Sequence, residues 1–172
     1  SRVKEFALVR GGITSSDSPF FRRYFWEVDT RDKRWAFQQG TVLKTQDYSG
    51  RELVLFWENG VGVLNARAGG NGATIAGRDA WGRFGIAISK MSDLQVTLYS
   101  GEIFENVAFV LVPRSPADLP ALWSFCSSPS FKSAVRQVNQ GLCVDPGYYE
   151  KAPFDLAHWQ KVAAEKYPHG LP

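Results

Sequence analysis

Cysteine, histidine and methionine are scarce in this chain, and their scarcity removes several kinds of chemistry before any motif is sought. The 172 residues hold two Cys, two His and one Met. Cys126 and Cys143 cannot build a disulfide framework and are expected to be free thiols. His158 and His169 stand eleven positions apart and away from both cysteines, whereas a structural zinc site needs four convergent ligands. His158 is expected on a helix surface beside Trp159. No apolar run approaches the ~20 residues of a membrane helix, and no signal-peptide pattern opens the chain. No membrane partner and a cytoplasmic location are the expectation. Net charge is only +3, so charge alone gives little reason for strong anion binding.

Catalytic signatures are missing too. There is no Gly-x-Ser-x-Gly elbow, and neither cysteine has a clear histidine partner. Gly69-Gly70-Asn71-Gly72 lacks the Lys-Ser/Thr ending of a phosphate-binding loop and the Gly-x-Gly-x-x-Gly spacing. The pairs Asp29/Asp32 and Glu102/Glu105 fall in expected turns, where solvated carboxylates are the ordinary case. No catalytic residue, metal or cofactor is expected in this chain. It opens Ser-Arg-Val-Lys-Glu-Phe without an initiator Met and stops at Gly-Leu-Pro, as expected of a piece of a longer polypeptide.

What the sequence does contain is enough material for one core. The apolar share is 44% and the aromatic share 14%, with six Trp. That length and composition suit a single domain over 1–172. Charge is unevenly placed: residues 1–100 carry fourteen Lys/Arg against ten Asp/Glu, and residues 101–172 carry six against seven. Ten of the fourteen N-terminal cations are Arg, the residue suited to bidentate contacts with phosphate and guanine.

Short β-branched or aromatic runs bounded by turn residues predict strands at 5–9, 20–28, 35–38, 52–57, 84–89, 95–99 and 108–112. A turn is expected at Asp47-Tyr48-Ser49-Gly50, and the last three strands read as an antiparallel meander. Residues 60–83 are rich in Gly, Asn and Arg and suit a long loop. Beyond Pro113 the period changes to that of helices, expected at about 115–127, 130–139 (Phe131, Ala134, Val135 and Val138 on one face) and 155–167 (Leu156, Trp159, Val162 and Ala163 on one face). The fold class is therefore α+β, with a mixed or antiparallel β-rich part over about 1–113 and helices over about 114–172.

The segment from Gly11 to Val28 runs a hydroxyl-rich loop into aromatics interleaved with Arg22 and Arg23. Such loops beside rigid elements are where recognition groups sit. Phe20, Phe21 and Trp26 read as core packing. Arg22, Arg23, Arg34, Arg51, Arg67, Arg78, Arg83 and Lys90 all fall in or beside expected loops, with Ser15, Ser16, Asp17 and Asn71 as short polar groups able to reach base edges. As a set they suit a basic groove in which phosphate contacts give position and base contacts give choice. Two rivals stand beside this: a protein-interaction module with an exposed patch of Trp26, Trp35 and Trp81, and a metal-dependent hydrolase using Asp29, Asp32 or Glu58.

The same segment resembles the Gly-x-x-Thr-Gly-Asp-Asn-x-x-Phe-x-Arg-x-Trp-x-Glu-Val element that opens the target recognition region of large adenine-N6 DNA methyltransferases. These belong to single-chain restriction-modification enzymes and phage-exclusion systems. Arg34-Trp35 through Gly40, Tyr48-Ser49-Gly50-Arg51 and Phe56-Trp57-Glu58-Asn59-Gly60 are similar to the family motifs that follow. So are Ala80-Trp81-Gly82-Arg83, Ile88-Ser89-Lys90 and Gly101-Glu102-Ile103-Phe104. Leu119 to Val138 and Pro153 to Pro168 resemble its later helices. The chain departs from the pattern at Ser15-Ser16, Ser18 and Gln38-Gln39, and it holds no Asn-Pro-Pro-Tyr motif. The resemblance implies a duplex-DNA target recognition domain, with methyl transfer from S-adenosylmethionine left to a methyltransferase domain of the parent chain.

Overall fold

The structure, a computed structural model, describes residues 1–70, 72–91 and 93–172. The chain folds as α+β, with strands mostly in the first two thirds and helices mostly after them. The strands are β1 (Ala7–Arg10), β2 (Arg22–Tyr24), β3 (Trp35–Gln39), β4 (Leu53–Phe56), β5 (Gly85–Ser89), β6 (Val96–Tyr99), β7 (Ile103–Phe104) and β8 (Ala108–Pro113). The helices are α1 (Ser18–Phe21), α2 (Val63–Arg67), α3 (Leu119–Cys126), α4 (Pro129–Val138), α5 (Pro146–Lys151) and α6 (Leu156–Lys166).

Two four-stranded sheets result. The first has the order β1-β8-β5-β6 and is antiparallel throughout. Its strands alternate side chains between two cores, as the two-residue period of a strand requires. Ile86, Ile88, Val96, Leu98, Phe109 and Leu111 face the helices, while Ala87, Tyr99, Val110 and Val112 face a second core with Ala80 and Phe104. Both faces are covered, so β5, β6 and β8 are buried at every position.

The expected meander is only partly formed. β8 pairs with β5 and not with β6, because after β6 the chain leaves for the other sheet through β7 before returning. That second sheet has the order β2-β4-β3-β7, antiparallel except for the parallel pairing of β3 with β7. The connection between β3 and β4 runs along the free edge of β6: Gln46 N donates to Val96 O (3.2 Å), and Leu98 N donates to Asp47 O (2.8 Å). An edge that would otherwise invite pairing with another chain is thereby closed.

The helices pack behind the first sheet. Trp123 and Phe131, from α3 and α4, are buried with Tyr149 of α5 and Ala163 of α6, and Trp123 Nε1 donates to Tyr167 Oη at 2.9 Å. α6 starts at Asp155, whose carboxylate accepts from His158 N at 3.2 Å, an N-cap. His158 is exposed beside Trp159. α5 ties the N-terminus down: Val3 N donates to Ala152 O (3.1 Å), and Val9 N to a Glu150 carboxylate oxygen (2.9 Å). Val138 of α4, expected on the apolar face, is exposed at the helix end. No described helix is long and apolar enough to cross a membrane.

The expected strand over 20–28 is three elements instead: the end of α1, the short β2, and a 3-10 turn over Phe25–Glu27. Glu27 folds its carboxylate back to accept from Tyr24 N at 2.7 Å, which ends the extended run. The expected loop over 60–83 contains α2 and a 3-10 turn at Arg78–Ala80.

Candidate nucleic-acid interface

The hydroxyl-rich loop is braced on both sides. Leaving β1, the chain passes Gly12, where a Cβ would lie 2.2 Å from Phe104 O; only glycine permits this approach. The contact lets Ile13 N donate to Phe104 O at 2.8 Å, extending the edge of β7. Thr14 and Thr74 then exchange two backbone hydrogen bonds of 2.9 and 2.8 Å. Ser16 adopts a left-handed backbone (φ 60°) and its Oγ donates to Gly72 O at 2.5 Å. Asp17 N donates to Ser15 Oγ at 3.4 Å. Asn71, a member of the sequence-based recognition set, lies outside the described residues.

Beyond the loop, Phe21 anchors α1 in a small core with Ile13, Leu55, Leu64 and Ile103. Its neighbour Phe20 is 50% exposed and Trp26 is 63% exposed. The expectation that both are core residues is therefore corrected. α1 is too short to bury two faces, and the 3-10 turn swings Trp26 outward to stack on Tyr24, ring centroids 4.5 Å apart and 7° from parallel. Phe25 and Phe37 extend this patch. Trp35 and Trp81 do not join it: they are half-buried against Phe56 and Trp57.

The cations divide into three groups. Arg22 and Arg51 are structural partners. Arg22 is ion-paired with Glu105, while Arg51 lies 3.0 Å from Glu102 and donates to Leu98 O (3.2 Å) and Ser100 Oγ (2.8 Å). Arg34 and Arg67 have carboxylate partners but remain on the surface. Arg34 is 2.7 Å from Asp32 and over Phe56; Arg67 is 3.4 Å from Asp17 and over Phe20 and Phe21. Such exposed pairs are worth little and exchange partners readily. Arg23, Arg78, Arg83 and Lys90 have no carboxylate partner among the described residues. Arg78 lies over Trp81 and Trp57, at 5.1 and 5.6 Å. Arg23 donates to Pro19 O and Arg22 O, Arg83 donates to Pro113 O at 2.8 Å, and Lys90 lies over Phe109.

The fold thus gathers Ser15, Ser16, Asp17, Arg22 and Arg67 at one place. Phe20 meets Phe56 (6.4 Å) and Trp57 meets Trp81 (5.5 Å), an aromatic strip through the chain neighbours Phe56 and Trp57; Arg67 and Arg34 lie over the first pair of rings and Arg78 over the second. Arg51, Arg83 and Lys90 are engaged elsewhere.

A cleft of about 150 Å³ with mixed polar and apolar walls opens beneath the loop, lined by Ser15, Ser18, Arg22, Gln38, Glu105 and Asn106 together with Leu55 and Ile13. Glu105 is 9% exposed, and burial raises its carboxyl above the usual range, opposed by the Arg22 guanidinium. Gln38 is 2% exposed, and its Oε1 has no hydrogen-bond partner among the described residues.

Neither Gln38 nor Glu105 stood out in the sequence. Glu105 looked like a solvated turn acid, as did Glu102. Both flank β7 and are instead ion-paired, Glu105 with Arg22 and Glu102 with Arg51. The one signal was the Gln38-Gln39 departure from the family pattern: two amides ending a strand whose apolar neighbours would favour burial. Asp29 and Asp32 are paired with Arg31 and Arg34, each carboxyl held below its usual range chiefly by that arginine. Among the described residues no group of three His, Cys, Asp or Glu could hold a metal ion. Compared with models of known protein families and with curated proteins, the chain matches none.

Proposed function

We propose that the chain is a duplex-DNA recognition domain, acting for an adenine-N6 methyltransferase. In this reading the catalytic domain and its S-adenosylmethionine belong to the parent protein, and the chain itself works in the cytoplasm without a cofactor. The observation that carries the reading is the strip on which exposed Arg34 and Arg78 and half-buried Arg67 lie over aromatic rings, with Arg67 paired to Asp17 of the braced hydroxyl loop. Guanidinium groups that lie over rings and share only surface carboxylates can turn to phosphates or base edges. Asp17 pairs with Arg67, and Ser16 precedes it in the loop; both are short polar groups of the kind that contact base edges.

Fluorescence anisotropy with a labelled duplex tests this. Binding is expected at micromolar affinity or weaker in low salt, falling steeply as salt rises. A folded domain that leaves the duplex free at low salt would refute it. A second reading, a protein-interaction module, is favoured by the exposed patch of Tyr24, Phe25, Trp26 and Phe37. Partner capture undiminished by high salt, together with absent DNA binding, would select it instead.

A further inference from the structure

We infer that the cleft beneath the Thr14–Ser18 loop seats the hydrogen-bonding edge of a single nucleobase. The nucleic-acid reading supplies the expected source of that base; the chemistry of the cleft supplies the class. Its volume, about 150 Å³, is on the scale of one heterocyclic ring. The floor is buried and the rim is open: Gln38, Glu105, Ile13 and Leu55 are inside, while Ser16 and Ser18 are exposed.

Charge narrows the ligand further. A phosphate entering the cleft would meet the Glu105 carboxylate, and a cation would meet Arg22, which that carboxylate already holds. The opposed pair leaves a neutral polar ligand as the favoured guest. Gln38 lines the cleft and its Oε1 is a buried acceptor without a partner; a turn of the side-chain amide toward the cleft lets Oε1 accept from a base and Nε2 donate to a ring acceptor. That donor–acceptor pairing is the one by which Gln and Asn read adenine. Asn106 adds a second amide to the wall, and Ile13 and Leu55 offer an apolar surface to the ring. With Gln38 offering an acceptor beside a donor, the cleft takes a base edge that sets an N–H next to a ring or carbonyl acceptor, and a base whose N–H donors are blocked is refused.

Two sources could bring such a base: a free nucleoside, or a base left unpaired in DNA. In the first arm, adenosine, cytidine and thymidine are titrated into the 15N-labelled protein. The Gln38 and Asn106 side-chain amide signals should move with these nucleosides and stay in place with N6,N6-dimethyladenosine, whose base carries no N–H donor. Gln38→Leu should abolish the response of the Asn106 amide, and Ser18→Phe, which fills the rim, should abolish that of both amides; either folded variant decides the matter. In the second arm, duplexes with one orphan adenine opposite an abasic site are compared with fully paired duplexes. About tenfold tighter binding of the orphan duplex, lost in the same variants, places the base in DNA. Nucleoside response without that gain keeps the cleft assignment and makes free nucleosides the source, even if duplex binding fails altogether. Salt-dependent duplex binding with no Gln38 response and no orphan-base gain leaves the DNA reading standing and overturns the cleft.

Discussion

Among single residues, Arg22 and Arg23 are adjacent in sequence and opposite in role. Arg22 neutralises a nearly buried carboxylate, and Arg23 touches only backbone carbonyls at the surface. Removing Arg22 strands the Glu105 charge, which costs about 1–3 kcal/mol. Arg22→Ala should therefore lower the melting temperature by several degrees, at about 2–4 °C per kcal/mol. Arg23→Ala should stay within about 0.5 kcal/mol of wild type. Identical melting curves for the two variants would mean that the Arg22–Glu105 pair contributes nothing. Glu105 also sets a pH dependence. Its carboxyl is raised in the folded chain, so between the ordinary value of 4.5 and that raised value the folded state holds the extra proton. Stability then falls as pH rises through this window. Urea titrations across it should show the decline, and Glu105→Gln should flatten it; a slope unchanged in the variant would assign it to other groups.

At the scale of elements, the loop depends on a close approach of two backbones. Gly12→Ala would drive a methyl group into Phe104 O, at a cost of about 1–3 kcal/mol or more, and would push Ile13 off β7. A thermal melt that matches wild type would show that the backbone yields without loss. How far such elements could be read from sequence depends on whether their determinants are local. β5, β6 and β8 were legible because their apolar runs end at turns, and α4 and α6 because their buried residues recur at helical spacing. The stretch from Ser18 to Glu27 was not, since Pro19 starting a helix and Glu27 reaching back to Tyr24 N outweigh an aromatic run that favours a strand. α5 was hidden by Pro146-Gly147, which reads as a turn although Pro is well suited to a first helical turn. In the candidate site, the serines and several arginines of the loop were legible as polar groups in a flexible context. Glu105 was not, because its partner Arg22 lies 83 positions away.

For the molecule as a whole, the proposed duplex binding predicts a divided response among the cations. Each arginine that contacts a phosphate carries about 0.9 of the slope of log affinity against log salt. Arg67→Ala with Arg78→Ala should therefore reduce the slope by about 2 with little loss of fold. Arg83→Ala should leave the slope unchanged, because its guanidinium is spent on Pro113 O. Equal effects from both would remove the aromatic strip from the interface. The pairings that build this surface span the chain: β1 joins β8, Ile13 bridges to Glu105, and Val9 N reaches Glu150. During synthesis the arginine-rich half therefore leaves the ribosome long before the strand and helix that complete it. Until β7 has emerged, the nascent chain carries its cations and aromatics without a platform to align them, and contacts this distant in sequence form slowly. If the proposed binding holds, its competence arrives as one late event, and a product ending before residue 103 would lack the strand that orders the loop.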